Sequence, residues 1–284
     1  MTGQDRARSV QLSWSGLGAM ILPDGFSERG YVLEIGGVEQ SHVDLNHPER
    51  IVYEYLRRIA NVVDTVAPEG EQITAAHLGA GGLTLPRYIQ ATRPGSRQVA
   101  VEIERELLSL VTRELPLPEG TRLARVTDDA RAALPDLARI AGLAEGEGFD
   151  VVVLDIFSGR DSPEHLACQE FYAEILPLLS ERGVVLVNVG DDPGLAFFAR
   201  QAEALAEATW RDPRLGAQSG AWVLTDSSMT SGRREGNLIL AAGPGMLDAS
   251  ARAESWRAAG PHPGAVLDPA QTQEFVGRLR EMHR

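Results

Sequence analysis

Four short stretches carry the residues whose types and spacing could do chemistry. "HLGAGGLT" (77–84) sets Gly79, Gly81 and Gly82 between the apolar run "ITAA" and a helix-like "LPRYIQAT", the pattern of a turn that closes a strand and opens a helix. Further on, "VEIE" carries Glu102, "VTDDAR" carries Asp129 and "VVVLDIFSG" carries Asp155. If each stretch closes a strand of one parallel sheet, the turn and three carboxylates meet on a single sheet edge, where open α/β sheets bind their ligands. Three ligands compete for the turn: the pyrophosphate of a dinucleotide, the triphosphate of an NTP, and a nucleoside with an amino-acid-like tail.

The rest of the composition weighs on that choice. The chain contains no lysine, so all 27 basic residues are arginine. A Walker-type phosphate loop and a Schiff-base mechanism are therefore excluded, because each needs an amine. A triphosphate would also face Glu102, Asp129 and Asp155 with no lysine to offset them. For a dinucleotide, Glu102 stands where a ribose-binding acid belongs, but position 84 is Thr rather than the third glycine of the fingerprint. An adenosine with a sulfonium tail suits the set better. The glycines let the backbone approach the tail, Glu102 accepts from the ribose hydroxyls and Asp129 accepts from the adenine amino group. Asp129 has an alternative use as a helix N-cap, and Asp155 as a strand-end acid satisfied by backbone amides.

These residues need a scaffold, and the hydrophobic pattern supplies one. From about residue 72, strand-like runs at "ITAAHLG", "RQVAVEI", "TRLARVT", "FDVVVLDIF" and "GVVLVNV" alternate with helical stretches at 84–93, 104–114, 129–141, 165–180 and 194–208. "GAWVLTD" and "NLILAAG" follow, joined as a hairpin, and two helical stretches fill 247–284. A doubly wound, mostly parallel sheet that ends in an antiparallel hairpin is the class I methyltransferase-like, Rossmann-like α/β fold. Ahead of it, "VQLSW", "GAMILPD" and "YVLEIGGVEQSHVDL" read as a small β-hairpin region, and "PERIVYEYLRRIANVVDTVA" reads as a linking helix with Pro48 near its first turn. The expected division is 1–66 for the N-terminal β region with its helix and 67–284 for the nucleoside-binding domain.

Charge and composition narrow the partners. A net charge of -13 argues against a nucleic-acid partner, and the six histidines and single Cys168 show no metal-ligand spacing, so no metal is expected. Cys168 reads as a small core residue, and the four tryptophans as core or interface anchors. The N-terminal residues lack a signal-peptide apolar core and no apolar run approaches the ~18 residues of a membrane span, so a soluble cytoplasmic protein is expected.

The sequence resembles the spermidine and spermine synthases, the polyamine aminopropyltransferases, over roughly 38–242. "EQSHVDL", "HLGAGGLTLPRYI", "VAVEIERELLSLV", "VTDDARAAL" and "FDVVVLDIFSGRDSPEHLACQEFYAEILPLLSERGVVLVNV" carry the resemblance in order and spacing. It implies that Glu102 binds ribose, Asp129 the adenine amino group, and that Asp155 takes the proton from an attacking small-molecule amine. The implied cofactor is decarboxylated S-adenosylmethionine, leaving as methylthioadenosine, and the implied assembly is a homodimer or larger. Three departures stand out. Gly82 occupies the place of the Asp that meets the cationic tail in the family's GGGDGG turn. Ser158 occupies the place of the second acid of DxxD, and His42, Val43 and Asp44 stand where a Tyr-Gln-Glu block is expected. The nucleoside half matches and the amine half is depleted, which puts putrescine in question as the acceptor. Two other readings stay open: an S-adenosylmethionine-dependent methyltransferase, and a nucleoside-binding homologue without turnover. Asp161, Glu164, Asp191 and Asp192 are candidates to replace the missing amine contacts.

Overall fold

A computed structural model describes residues 8–158, 162–216 and 219–283. Strands β1 (Ser9–Gln11), β2 (Gly18–Pro23), β3 (Gly30–Ile35) and β4 (Val38–Asp44) form a four-stranded antiparallel sheet in sequence order. The β3–β4 link is two glycines, Gly36 and Gly37, with φ of 61° and 80°, the left-handed pair that a tight hairpin turn requires. Strand alternation turns Ala19, Ile21 and Leu33 inward. They pack with Leu107, Leu110 and Val111 of α3 (Arg105–Glu114), so this sheet lies against the helix that follows the Glu102 strand.

The linking helix α1 spans Glu54–Val63 and starts later than the Pro48 signal suggests. Asp44 accepts from the amides of Asn46 and His47, and the chain stays non-helical up to Tyr53, whose backbone is extended.

The main sheet has eight strands: β5 (Thr74–Leu78), β6 (Arg97–Glu102), β7 (Arg122–Thr127), β8 (Phe149–Ser158), β9 (Leu179–Asp191), β10 (Trp222–Asp226), β11 (Gly236–Ala242) and β12 (Gly264–Leu267). Their order is β12-β10-β11-β9-β8-β5-β6-β7. Strands β5 to β9 are parallel, while β11 runs antiparallel to β9, and β10 antiparallel to both β11 and β12. The class I methyltransferase-like, doubly wound arrangement with a terminal antiparallel hairpin is as the sequence pattern implies. Strand β12 was not legible in it. Its four residues read as a loop between helices and are held as a strand only by pairing with β10.

Helices α2 (Thr84–Thr92), α4 (Ala130–Ala133), α5 (Leu137–Ile140), α6 (Gln169–Ile175), α7 (Ala196–Arg211), α8 (Ala253–Ala258) and α9 (Pro269–Met282) complete the fold. Two expected helices are shortened by proline. The stretch 129–141 is interrupted at Leu134–Asp136 around Pro135. The stretch 165–180 is helical only from Gln169, tightens at Leu176–Leu178 around Pro177, and becomes β9 at Leu179. A proline lacks the amide that would continue the α-helical ladder. Trp222 and Trp256 are core residues in edge-to-face contact with centroids 6.1 Å apart, whereas Trp14 and Trp210 are exposed. Cys168 is half-buried beside the core. Among the described residues no helix is long and apolar enough to cross a membrane.

Candidate functional site

The strand order reverses between β5 and β8, with β6 and β7 laid down on one side and β9 on the other. Ligands of open α/β sheets bind outside the carboxyl ends of the strands at that point. A cleft of about 400 Å³ lies there, bounded by Gly79, Gly81, Glu102, Asp129 and Asp155 from the main sheet, and by Leu12, Trp14, Gln40 and Ser41 from the N-terminal sheet. The structure thus brings five of the sequence-derived site residues to one place. The volume falls within the range of small-molecule sites.

Gly79 ends β5 with φ 91°, and a Cβ added there would lie 2.4 Å from the Asp155 carbonyl oxygen. The close approach that forces glycine at this position is to the neighbouring strand. Strand β8 itself is irregular here. Leu154 pairs with Val187 but Phe157 pairs with Val189, so β8 gains one residue on β9 and bulges at Asp155 and Ile156. A bulge bends its strand and re-aims a side chain, which is how Asp155 comes to line the cleft.

On one side of the cleft, Glu102 closes β6. One carboxylate oxygen accepts from the Ala80 amide at 3.1 Å and the other from the Glu104 amide at 3.1 Å. Burial raises its pKa, an effect the two amides partly offset. Asp129 serves as the N-cap of α4: Oδ1 accepts from the amides of Arg131 and Ala132 at 2.9 and 3.1 Å, and Oδ2 contacts His165 Nε2 at 2.8 Å. Burial pushes its carboxyl up, but the His165 contact and the two amides outweigh it and hold the pKa below the ordinary value. The capping role therefore uses Oδ1 and leaves Oδ2 on the cleft side with His165, which also lines the cleft.

At the other end, Asp155 accepts from the Tyr55 hydroxyl at 3.3 Å and from Asn188 Nδ2 at 2.7 Å. Asn188 Oδ1 in turn accepts from Asn237 Nδ2 at 3.0 Å, so its amide orientation is fixed by the next strand. Burial raises the Asp155 pKa, against the opposing pull of the Asn188 and Tyr55 hydrogen bonds. The same proximity, on top of burial, raises the Tyr55 pKa, so the phenol stays a donor. A carboxylate held by two donors, with an elevated pKa and an open cleft in front of it, is equipped to accept a proton.

Other expected site residues lie elsewhere. His42 is buried on the opposite face of β4 from the glycine turn, in contact with Asp24 at 2.9 Å and stacked on Phe26. Asp44 is buried and spent on the turn at Asn46 and His47. Neither lines the cleft, and of their strand Gln40 and Ser41 do so instead. Gly82 also sits behind the cleft wall. Its amide donates to Ser41 Oγ at 3.0 Å, and a Cβ there would meet Ser41 Cβ at 2.8 Å, so packing against β4 occupies the place where the family has its acid. Ser158 is the last residue of β8, and its side chain lies outside the described residues, as does Asp161. Asp191 accepts from the Phe198 amide in the first turn of α7, and Asp192 and Glu164 are exposed.

Sequence reasoning missed Tyr55, Asn188, Gln40 and Trp14. Asn188 had a signal: it is the one polar residue in the buried run Val184–Val189 of β9. Tyr55 had none, since it sits on an amphipathic helix a hundred residues from its partner.

The cleft chemistry fits an adenosyl sulfonium. Five carboxylates line it, from Glu102, Glu104, Asp128, Asp129 and Asp155, and no arginine does so among the described residues. Each Glu102 oxygen accepts one amide and retains capacity for a hydroxyl donor. Such a lining suits hydroxyl and amino donors and a cationic tail.

Fold and cleft together define a class I methyltransferase-like α/β protein with an acidic cleft at the carboxyl ends of its parallel strands. Comparison with known proteins goes further. The chain is 31% identical over 141 residues to the polyamine aminopropyltransferase of Vibrio vulnificus, a match spanning 49% of this chain and 44% of that protein. It is 26% identical over 168 residues to the polyamine aminopropyltransferase of Neisseria meningitidis, spanning 58% and 60%. The chain thus matches only about half the length of these curated relatives. Among solved structures, a probable spermidine synthase from Corynebacterium glutamicum superposes with a TM-score of 0.78 at 24% identity, covering 94% of this chain and 92% of that one. A spermidine synthase in complex with the transition-state analogue AdoDATO superposes with a TM-score of 0.51 at 14% identity, covering 84% and 72%. No family model matches the sequence. Over the matched segments the chain is thus similar to polyamine aminopropyltransferases, and over most of its length it shares the fold of solved spermidine synthases.

Proposed function

We propose that this protein is an aminopropyltransferase-like enzyme that binds decarboxylated S-adenosylmethionine and transfers its aminopropyl group to an amine other than putrescine. The observation that carries the reading is Asp155, aimed into the cleft by a strand bulge and held there by Tyr55 and Asn188. A site that only bound a nucleoside would not need a carboxylate poised so. Its relatives' names and the analogue-bound neighbour support the same cofactor class.

In this reading Glu102 accepts from the ribose hydroxyls, Asp129 Oδ2 faces the adenine amino group, and Gly79 and Gly81 bring the backbone close to the tail. The bound cofactor supplies an activated carbon whose leaving group is a neutral thioether. The chain's own task is the acceptor. An alkyl ammonium with a pKa of about 10.4 must lose a proton, which costs roughly 4 to 5 kcal/mol at neutral pH. Asp155 stabilises the ammonium in the ground state, so it assists by taking the proton as the carbon–nitrogen bond forms. Alignment of the amine behind the reacting carbon supplies much of the rest.

Putrescine is disfavoured because Ser158 stands in the sequence where the family has the second acid of DxxD, and the place of the tail-binding acid is filled by packing at Gly82. That second feature favours, as the alternative, a methyltransferase using S-adenosylmethionine. Assays with putrescine, spermidine and longer or aromatic amines, with either cofactor and the product mass measured, separate the readings. An added aminopropyl group supports the proposal and an added methyl group replaces it. Putrescine turnover with kcat/KM near ~10⁴ M⁻¹s⁻¹ removes the claim about the acceptor. Binding with no product from any amine leaves a non-catalytic homologue. The reading carries with it a soluble cytoplasmic homodimer or larger assembly, checked by sedimentation and fractionation.

A further inference from the structure

The turn between β1 and β2 reaches across to the strand that carries Glu102. It closes through the Leu12 amide and the Leu17 carbonyl at 2.8 Å, with Gly16 in the left-handed region at φ 72°. Glu104 is only 5% exposed and spends both carboxylate oxygens on this turn, Oε2 accepting from the Trp14 amide at 3.0 Å and Oε1 from the Ser15 amide at 2.7 Å. The Ser13 hydroxyl is bound alongside by Glu106 at 3.0 and 3.1 Å. Glu104 donates its own amide to Glu102. A continuous set of hydrogen bonds therefore runs from the Glu102 carboxylate through Glu104 to the backbone of Trp14.

Two charge-assisted bonds from one buried carboxylate fix both the position and the angle of the turn they hold. What they hold is a wall of the cleft: Leu12, Trp14, Ser15 and Leu17 all line it. Trp14 is 73% exposed, in contrast to Trp222 and Trp256 at 5% and 2%. An indole whose backbone is fixed at the mouth of a ligand cleft has most of its apolar area still to bury, and a purine face is a partner of matching size and polarity.

We propose that Trp14 is a contact residue for the bound nucleoside and that Glu104 is the positioning residue that sets it in place, so that the N-terminal sheet supplies one wall of the nucleoside end. The inference rests on the nucleoside reading of the cleft. It is tested on the full chain with methylthioadenosine as the probe, by calorimetry and by the change in tryptophan emission on binding. Trp14→Phe should keep the affinity within about threefold but abolish most of the emission change, and Trp14→Ala should weaken binding about tenfold or more. Glu104→Gln should weaken binding less, and should alter the emission of the free protein only when Trp14 is present, a signature that a general loss of stability would not give. Binding to Trp14→Ala as tight as to the wild type, or a full emission change in Trp14→Phe, overturns the inference while leaving the nucleoside site standing. Failure of the wild type to bind either methylthioadenosine or S-adenosylmethionine overturns both.

Discussion

The two ends of the cleft are built differently. Where Glu102 and Asp129 stand, the carboxylates are held mainly by backbone amides: Glu102 by those of Ala80 and Glu104, and Asp129 by amides two and three residues on. At the other end Asp155 is organised by side chains 100 and 33 positions away, and Asn188 by one 49 positions away. The first arrangement travels with a short motif and tolerates drift elsewhere in the chain. The second depends on three distant elements keeping their register. The comparison teaches that one end of the cleft is assembled mainly from backbone amides, while the other needs side chains from distant elements brought together.

The largest expected effect tests the reacting end alone. Asp155→Asn keeps the shape but removes the basic oxygen, so turnover should fall by about 10² to 10⁴ while methylthioadenosine affinity holds. Stability gives a check of opposite sign. With its pKa raised by burial, folded Asp155 keeps a proton that the unfolded chain has released, so stability falls as pH rises from the ordinary carboxylate value to the raised one. Above that window the cost is fully present, and Asp155→Asn should melt no lower than the wild type at neutral pH. Equal loss of turnover and binding would make Asp155 a binding residue and dissolve the contrast between the ends.

At the nucleoside end, Glu102→Gln should weaken binding of methylthioadenosine or S-adenosylmethionine by on the order of 1 to 3 kcal/mol, read by calorimetry. Unchanged affinity would remove Glu102 from the site. Tyr55→Phe is expected to act only at the reacting end, lowering kcat/KM by about tenfold or less through loss of one hydrogen bond. Because the Tyr55 hydroxyl holds the Asp155 pKa down, its removal should move the acid limb of the pH profile to higher pH. An unmoved limb would detach Tyr55 from the base. The smallest effect belongs to Asp129→Ala, where loss of the cap on α4 should cost about 1 kcal/mol of stability in denaturant titrations. If affinity for the nucleoside falls as well, Oδ2 has the ligand role that the cap leaves open to it.

Much of the fold was legible for a physical reason. Buried parallel strands read as apolar runs, and their crossover helices as amphipathic ones, so β5 to β9 and the α/β alternation could be assigned locally. Glu102, Asp129 and Asp155 were legible because a strand-end acid has a fixed place on a parallel sheet. Helix limits at Pro135 and Pro177 carried a signal that the apolar periodicity overrode. Strand β12 carried none, since four residues in a Pro- and Gly-rich tail become a strand only by pairing with β10.

The sequence by itself determined the class of fold, the glycine turn, the three carboxylates on one sheet edge and, through the absence of lysine, the exclusion of amine-dependent chemistry. Only the tertiary structure decided which side of β4 faces the cleft. With a side-chain period of two, it puts Ser41 against the glycine turn and buries His42 on the other face beneath Phe26. It also decided that a bulge aims Asp155, that Tyr55 and Asn188 hold it, and that Glu104 ties the Trp14 turn to Glu102. Each of those facts is a contact between residues far apart in the chain, and local propensity carries no information about which distant side chains will share a site.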